Sequence, residues 1–123
     1  TYINAPKILN EGYQTKMFPN LFIAGQLSGV EGYLESASSG IYAAINMDRY
    51  LKNKPLFILP NTTVMGALGF YITHAATASF QPMNANFGII RELDFSHKKG
   101  DRKKLYSEIA IKTIKEKKSE LDD

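Results

Sequence analysis

The residues with the clearest chemical potential lie in "LFIAGQLSGVEGY", residues 21 to 33. An apolar run breaks at Ala24, Gly25 and Gln26. Two more glycines follow at Gly29 and Gly32, and Glu31 and Tyr33 set a carboxylate and a phenol beside the last of them. A strand, a glycine turn and a helix in succession leave the helix's first N–H groups, with their partial positive charge, at the C-terminal edge of a sheet. That is an acceptor site for an anion or a dipole. Gly25, Gly29 and Gly32 omit Cβ atoms where a ligand or another backbone comes close. Glu31 and Glu35 near the helix start suit its dipole even with nothing bound. Three glycines after a strand also commonly mark only a tight connection, and G-x-x-G spacing is weak evidence for a nucleotide. On local pattern the two readings stand level. The dinucleotide fingerprint G-x-G-x-x-G, which opens the first βα unit of such domains, occurs nowhere in the chain.

The elements that must position this turn can be read from periodicity. Residues 1 to 19 show no sustained period and read as extended or irregular. Leu21 to Ala24 fit a short strand buried on both faces. From Tyr33 to about Leu51 the positions Leu34, Ala37, Ile41, Ala44, Ile45 and Leu51 recur at three- and four-residue spacing, which predicts an amphipathic helix. Gly40 within it costs helix propensity and points to close packing against a neighbour. Asn53, Lys54 and Pro55 end that helix, and Leu56 to Leu59 form a second short apolar run. Asn61, Thr62 and Thr63 offer caps for a mostly buried helix over residues 63 to 76. "SFQPMNANFG", Ser79 to Gly88, reads as an ordered loop, and a last helix begins near Asp101 with a weak stripe of Leu105, Ile109, Ile111 and Ile114. Carboxylates at its end oppose the macrodipole and favour fraying.

A chain of 123 residues with 44% hydrophobic content buries one modest core. It opens "TYINAPKILN", without initiator Met or targeting signal, and reads as a piece of something longer. No apolar run approaches the ~20 residues that span a bilayer. Zero cysteines exclude a disulfide scaffold, a thiolate metal site and a cysteine nucleophile within these residues. Residues 1 to 96 carry six basic and six acidic side chains, and residues 97 to 123 carry nine against six, so the whole net charge of +3 sits in the tail.

At "LFIAGQLSGVEGYLESASSGIYAAIN" the chain resembles the FAD- and folate-dependent tRNA (uracil-5-)-methyltransferases, the TrmFO or Gid family. "FQPMNANFGII" resembles a second signature of that family, with "YITHA" between the two. The related GidA family of wobble-uridine-modifying flavoproteins shares an "AGQ" strand end and a Gly-Tyr elbow but lacks the "FQPMNANFG" element. The resemblance implies the C-terminal fragment of a glutathione-reductase-like FAD-binding α/β fold, strand-turn-helix followed by mainly helical elements. Residues 1–54 would close the FAD domain, 55–96 would complete it with a buried helix and ordered loop, and 97–123 would form a basic C-terminal helix.

It further implies a cytoplasmic enzyme that forms 5-methyluridine in the tRNA T-loop, with methylenetetrahydrofolate as carbon donor and NAD(P)H as electron source. A ribosomal-RNA methyltransferase of the same family, a GidA-type flavoprotein and a non-enzymatic basic RNA-binding module are the alternatives. On this resemblance Gly25 and Gln26 lie beside the ribityl and pyrophosphate portion of FAD. Gly29, Val30, Glu31, Gly32 and Tyr33 pass along the isoalloxazine, with N–H groups toward its pyrimidine edge. Tyr33 covers a flavin face or shields the folate, against a plain reading as packing at a helix start. Gln81, Asn84 and Asn86 bond pterin or uracil edges, or hold their own loop. Lys98, Lys99, Arg102, Lys103 and Lys104, next to His97, meet RNA phosphates, or are solvated surface. For His74 a core histidine bonded to backbone is the expectation. The family's catalytic cysteines and nucleotide fingerprint have no counterpart here, so no catalytic residue and no metal site is expected in the chain. The isolated fragment is expected to be inactive.

Overall fold

The computed structural model describes residues 2–83 and 102–122. Four helices are formed in them: α1 (Ala5–Ile8), α2 (Tyr33–Leu51), α3 (Val64–His74) and α4 (Arg102–Lys118). Short 3-10 turns occupy Gly25–Ser28, Thr77–Ser79 and Ser119–Asp122. Extended pairing among the described residues is limited to isolated bridges, Leu9 with Thr15, Gln14 with Phe22 and Val30 with Met83. The architecture is therefore mostly helical with little strand. The expected strand at Leu21 to Ala24 is reduced to the antiparallel bridge at Phe22, and Leu21 is exposed rather than buried on both faces. The physical reason is a shortage of neighbours. Among the described residues this segment's ladder bonds go only to residues 13–15, with Thr15 N–H donating to Leu21 O at 2.9 Å and Ile23 N–H to Tyr13 O at 3.0 Å. The opening residues hold one element the periodicity did not reveal, the single turn α1, with a proline in its first turn.

Helix boundaries follow local chemistry. Asn53 adopts a left-handed backbone (φ 57°) just beyond α2, a conformation that Asn tolerates better than most residues. Thr63 caps α3, its hydroxyl accepting the Gly66 N–H at 3.0 Å. A Cβ at Gly66 would run into the backbone of Leu59 and Pro60, so that glycine lets α3 seat against the preceding segment. The core gathers Leu9, Tyr13, Val30, Tyr42, Leu68, Ile72 and Phe80. Tyr106 is buried on α4, while Ile111 and Ile114, half of the expected stripe there, are exposed.

The orientation of α2 reverses the expectation. Its buried residues are Ser39, Tyr42, Ala43 and Asn46, whereas Leu34, Ala37, Ile41, Ala44 and Leu51 of the predicted stripe face outward. The inward polar groups are matched to irregular backbone that has no sheet to satisfy it. Ser39 Oγ accepts Gly25 N–H at 2.8 Å, Tyr42 Oη accepts Leu59 N–H at 2.7 Å, and Asn46 Oδ1 accepts Phe57 N–H while its Nδ2 donates to Gly12 O at 3.3 Å. Buried backbone amides without partners each cost of the order of 1–3 kcal/mol, so a polar helix face is the stabilising choice here. Gly40 has nothing within 4 Å of where a Cβ would stand, so the close neighbour expected for it is not among the described residues.

Candidate functional site

The turn from Gly25 to Gly32 is held on the N-terminal end of α2. All three of its glycines have positive φ, 71° at Gly25, 97° at Gly29 and 98° at Gly32, so each is required by the backbone itself. Ser39 fixes Gly25 from nearly two helical turns inside α2, and Ser28 Oγ donates back to Gly25 O at 2.7 Å. Gly29 has a second reason to lack a side chain: the ring of Phe80 fills the place of its Cβ, with Cε2 at 2.8 Å from it. The expected close approach at Gly29 is thus made by the protein's own aromatic. Tyr2 braces that ring edge-on at 5.8 Å.

The two stretches singled out in the sequence meet here. Glu31 N–H donates to Met83 O at 3.0 Å and Met83 N–H donates to Gly29 O at 2.9 Å, a parallel bridge across Val30. It carries the beginning of the 79–88 loop onto the glycine turn and leaves Gln81, two residues away, exposed. The bridge also uses up the Glu31 N–H, and Gly29 N–H is engaged by Gln26 O, so neither amide is open to a ligand. The side chain of Val30 is in the core. What remains outward at the turn is Gln26, Leu27, Glu31, Gly32 and Tyr33, the last 98% exposed. No side chain caps α2 at Gly32, so the amides of its first turn keep their polarity. The Glu35 carboxylate curls over Gly32 into the space a Cβ would take. With Glu31 alongside, this end of the helix suits a neutral hydrogen-bonding edge better than a phosphate.

The other expected residues divide. Asn84, Asn86, His97, Lys98 and Lys99 lie outside the described residues. Arg102 and Lys103 open α4, followed by an exposed Lys104. His74 is bonded to backbone as expected, Nδ1–H donating to Phe70 O at 2.9 Å, but it is exposed rather than in the core. It stacks on Phe70 with ring centroids 4.0 Å apart and faces Glu11 across 3.7 Å, at the rim of a cleft of about 440 Å³ that also involves Leu9, Lys16 and Ile58. Among the described residues no group of three metal-ligating side chains exists and no helix is long and apolar enough to cross a membrane. Tyr42 has its phenol pushed up to about 12, first by burial and further by the Glu11 carboxylate, against a lowering bond from Leu59 N–H. Burial, then its neighbour Tyr42, raises Tyr13 too.

Sequence reasoning missed Ser39, Phe80 and Met83, which build the turn without touching a ligand. A serine pair at i and i+3, Ser36 and Ser39, on a helix otherwise rich in Ala and Ile was the available signal for the first. For the other two, long-range partners carry no local signature.

The family model described as GIDA, glucose inhibited division protein A, matches residues 1–55. A Streptococcus thermophilus protein named methylenetetrahydrofolate–tRNA-(uracil-5-)-methyltransferase TrmFO is 46% identical over 122 residues, 99% of this chain and 27% of that protein. Proteins of the same name from Streptococcus suis and Streptococcus equi are 49% and 48% identical over 94% and 93% of the chain, each covered to 26%. The chain thus spans about a quarter of the length of the curated relatives it matches. Along nearly all of its length the chain is thus similar to a segment of proteins named TrmFO.

Proposed function

We propose that this chain is the C-terminal segment of an FAD-dependent tRNA (uracil-5-)-methyltransferase and that its glycine turn lies along the flavin. The observation that carries the reading is the bridge between Val30 and Met83, which joins both distinctive stretches at the uncapped start of α2, beside an aromatic, Tyr33, that nothing among the described residues covers. The residues fit a flat heterocycle. Gly32 and the amides of the first turn of α2 offer donors to a carbonyl-bearing edge. Tyr33 offers a π face, and Gln26 an amide for hydroxyl groups. When bound, FAD would supply the redox chemistry of carbon transfer from methylenetetrahydrofolate, with NAD(P)H as reductant. This chain's part is to orient the ring and exclude water. Gln81, two residues before Met83, and Asn84 and Asn86, one and three residues after it, lie near enough to the bridge in sequence to be assigned to the pterin or the target uracil. Lys98, Lys99, Arg102, Lys103 and Lys104 are assigned to tRNA phosphates.

The larger assignments belong to the same reading: a glutathione-reductase-like FAD domain closed by residues 1–54 and completed by 55–96, with 97–123 as an RNA-facing helix. The name that the relatives carry supports methylation at uracil C5 of tRNA over wobble-uridine modification.

The test uses the full-length S. thermophilus protein with its aligned residues exchanged for this chain. In that chimera Gly32→Val should abolish FAD retention, because valine cannot adopt φ 98° and would displace the ring, while circular dichroism stays unchanged. Tyr33→Ala should keep FAD but raise its fluorescence and reduce methylation. Full flavin occupancy in folded Gly32→Val, with unaltered fluorescence in Tyr33→Ala, would refute the assignment.

A further inference from the structure

Helix α2 is apolar on the outside and polar on the inside. Its solvent-facing residues are Tyr33, Leu34, Ala37, Gly40, Ile41, Ala44, Met47, Asp48 and Leu51. They form one continuous face over the whole helix, and the single charge on it, Asp48, is neutralised by Lys52 at 3.0 Å. Leu34, Ile41 and Leu51 are 78%, 66% and 71% exposed. Scattered apolar residues on a surface are ordinary, but a face apolar at all but one position along a 19-residue helix has the pattern of an interaction surface. Its relief is specific as well: Ala37, Gly40 and Ala44 surround Ile41, and the space over Gly40 is open, so a partner's backbone can approach closely at the middle of the helix.

We infer that this face is the seat of an apolar surface contributed by the three quarters of the polypeptide that the relatives carry beyond this segment, so that α2 is the buried shared element between the two parts. Two observations favour that occupant over a second copy of the chain. The relatives join this segment covalently to the larger part, so a fitting surface is supplied at one-to-one ratio and at high effective concentration. The face is also continuous with Tyr33 at the glycine turn, so an occupant seated along it closes the site on the side that the chain itself leaves open. The inference rests on the reading that the chain works within a TrmFO-type protein.

The chain contains no cysteine, so a thiol introduced into it is the only one in its own peptides, whatever cysteines the rest of the chimera carries. In the chimera described above, Ala37→Cys and Ala44→Cys replace one small side chain by another on the outer face, and Ser107→Cys marks an exposed position on α4. Alkylation at each site is followed by mass spectrometry of the peptides that contain them. The expected result is labelling at residues 37 and 44 at least about 100-fold slower than at residue 107, independent of protein concentration, with each variant eluting as a folded monomer. Labelling as fast as at residue 107 would overturn the inference. Protection that disappears on dilution would assign the face to a second copy and overturn it equally. Protection with no FAD retained would leave this inference standing and refute the flavin assignment instead.

Discussion

The inverted helix makes a quantitative prediction that the reverse packing does not share. In the 123-residue chain Asn46→Ala removes the acceptor of Phe57 N–H and the donor to Gly12 O, both in the buried interior. Each buried backbone group left unpaired costs about 1–3 kcal/mol, and the bond to Gly12 is long, so the destabilisation should be about 3 kcal/mol. Tyr42→Phe is gentler. It keeps the ring against Tyr13 at 5.6 Å and Phe57 at 6.3 Å but strips the oxygen from Leu59 N–H, for about 1–2 kcal/mol. Ile41→Ala, on the open face, should change stability by no more than about 0.5 kcal/mol. If the apolar stripe pointed inward, Ile41→Ala would cost about 2–5 kcal/mol and Asn46→Ala almost nothing. Urea unfolding followed by far-ultraviolet circular dichroism, with midpoints compared at a common slope, measures all three. Ile41→Ala costing more than Asn46→Ala would refute the orientation of α2 and everything built on its outer face.

Alkaline titration follows from Tyr42. Its folded value, about 12, lies above the ordinary 10.0, so the folded chain holds a proton that the unfolded chain releases. Its contribution is complete below pH 10 and should be lost at roughly 1.4 kcal/mol per pH unit up to pH 12, on top of a loss in the same direction from Tyr13, so Tyr42→Phe should reduce the slope in urea midpoints without abolishing it. Gly29→Ala should destabilise by about 2–4 kcal/mol in the same assay, because the residue combines a left-handed backbone with the Phe80 ring at its Cβ position; a change under about 1 kcal/mol would show that the ring moves aside freely. Neutralising Lys98, Lys99, Arg102, Lys103 and Lys104 in the chimera should weaken tRNA binding and lower its salt dependence by roughly one unit of slope for each phosphate no longer paired with a cation, with flavin content unchanged. The isolated chain, given FAD, methylenetetrahydrofolate and NAD(P)H, should show no methylation of tRNA; turnover there would contradict the assignment of the reactive groups to the rest of the protein.

The sequence made the helices legible because their signals are local. Spacing at three and four residues placed α2 from Tyr33 to Leu51 as observed, and Thr63 marked the cap of α3 within a residue. The glycine turn was legible as a turn that favours glycine, though not in its details. Nothing near Gly29 in the chain announces Phe80, fifty-one positions away, or the bonds to Met83. The strand at Leu21 to Ala24 failed for a related reason: an apolar run reports a wish to be covered, while a strand requires partners for its amides, and among the described residues only 13–15 provide them. The amide-rich loop could be recognised as a unit, yet only its first residues are seen to reach the turn.

The error over α2 is the most informative, since the periodicity was right and only the inference from it was wrong. A helical apolar stripe identifies a face that water disfavours, and in a self-sufficient domain that face turns to the domain's own core. Here the chain's own core takes the other face, because Gly25, Phe57 and Leu59 present amides that Ser39, Asn46 and Tyr42 are placed to satisfy. A helix with hydrogen-bonding residues toward its own segment and apolar residues away from it satisfies two neighbours of different chemistry. Of these the irregular backbone is present in the chain, and the apolar one is not among the described residues. The same arrangement governs the candidate site: Ser39 ties the glycine turn to α2, α2 is set by its polar face, and Tyr33 stands at the end of the apolar one. A rigid inner side and an open outer side at one helix terminus are what a cofactor held between two parts of a protein requires, and they explain why this segment orders the turn without by itself enclosing anything.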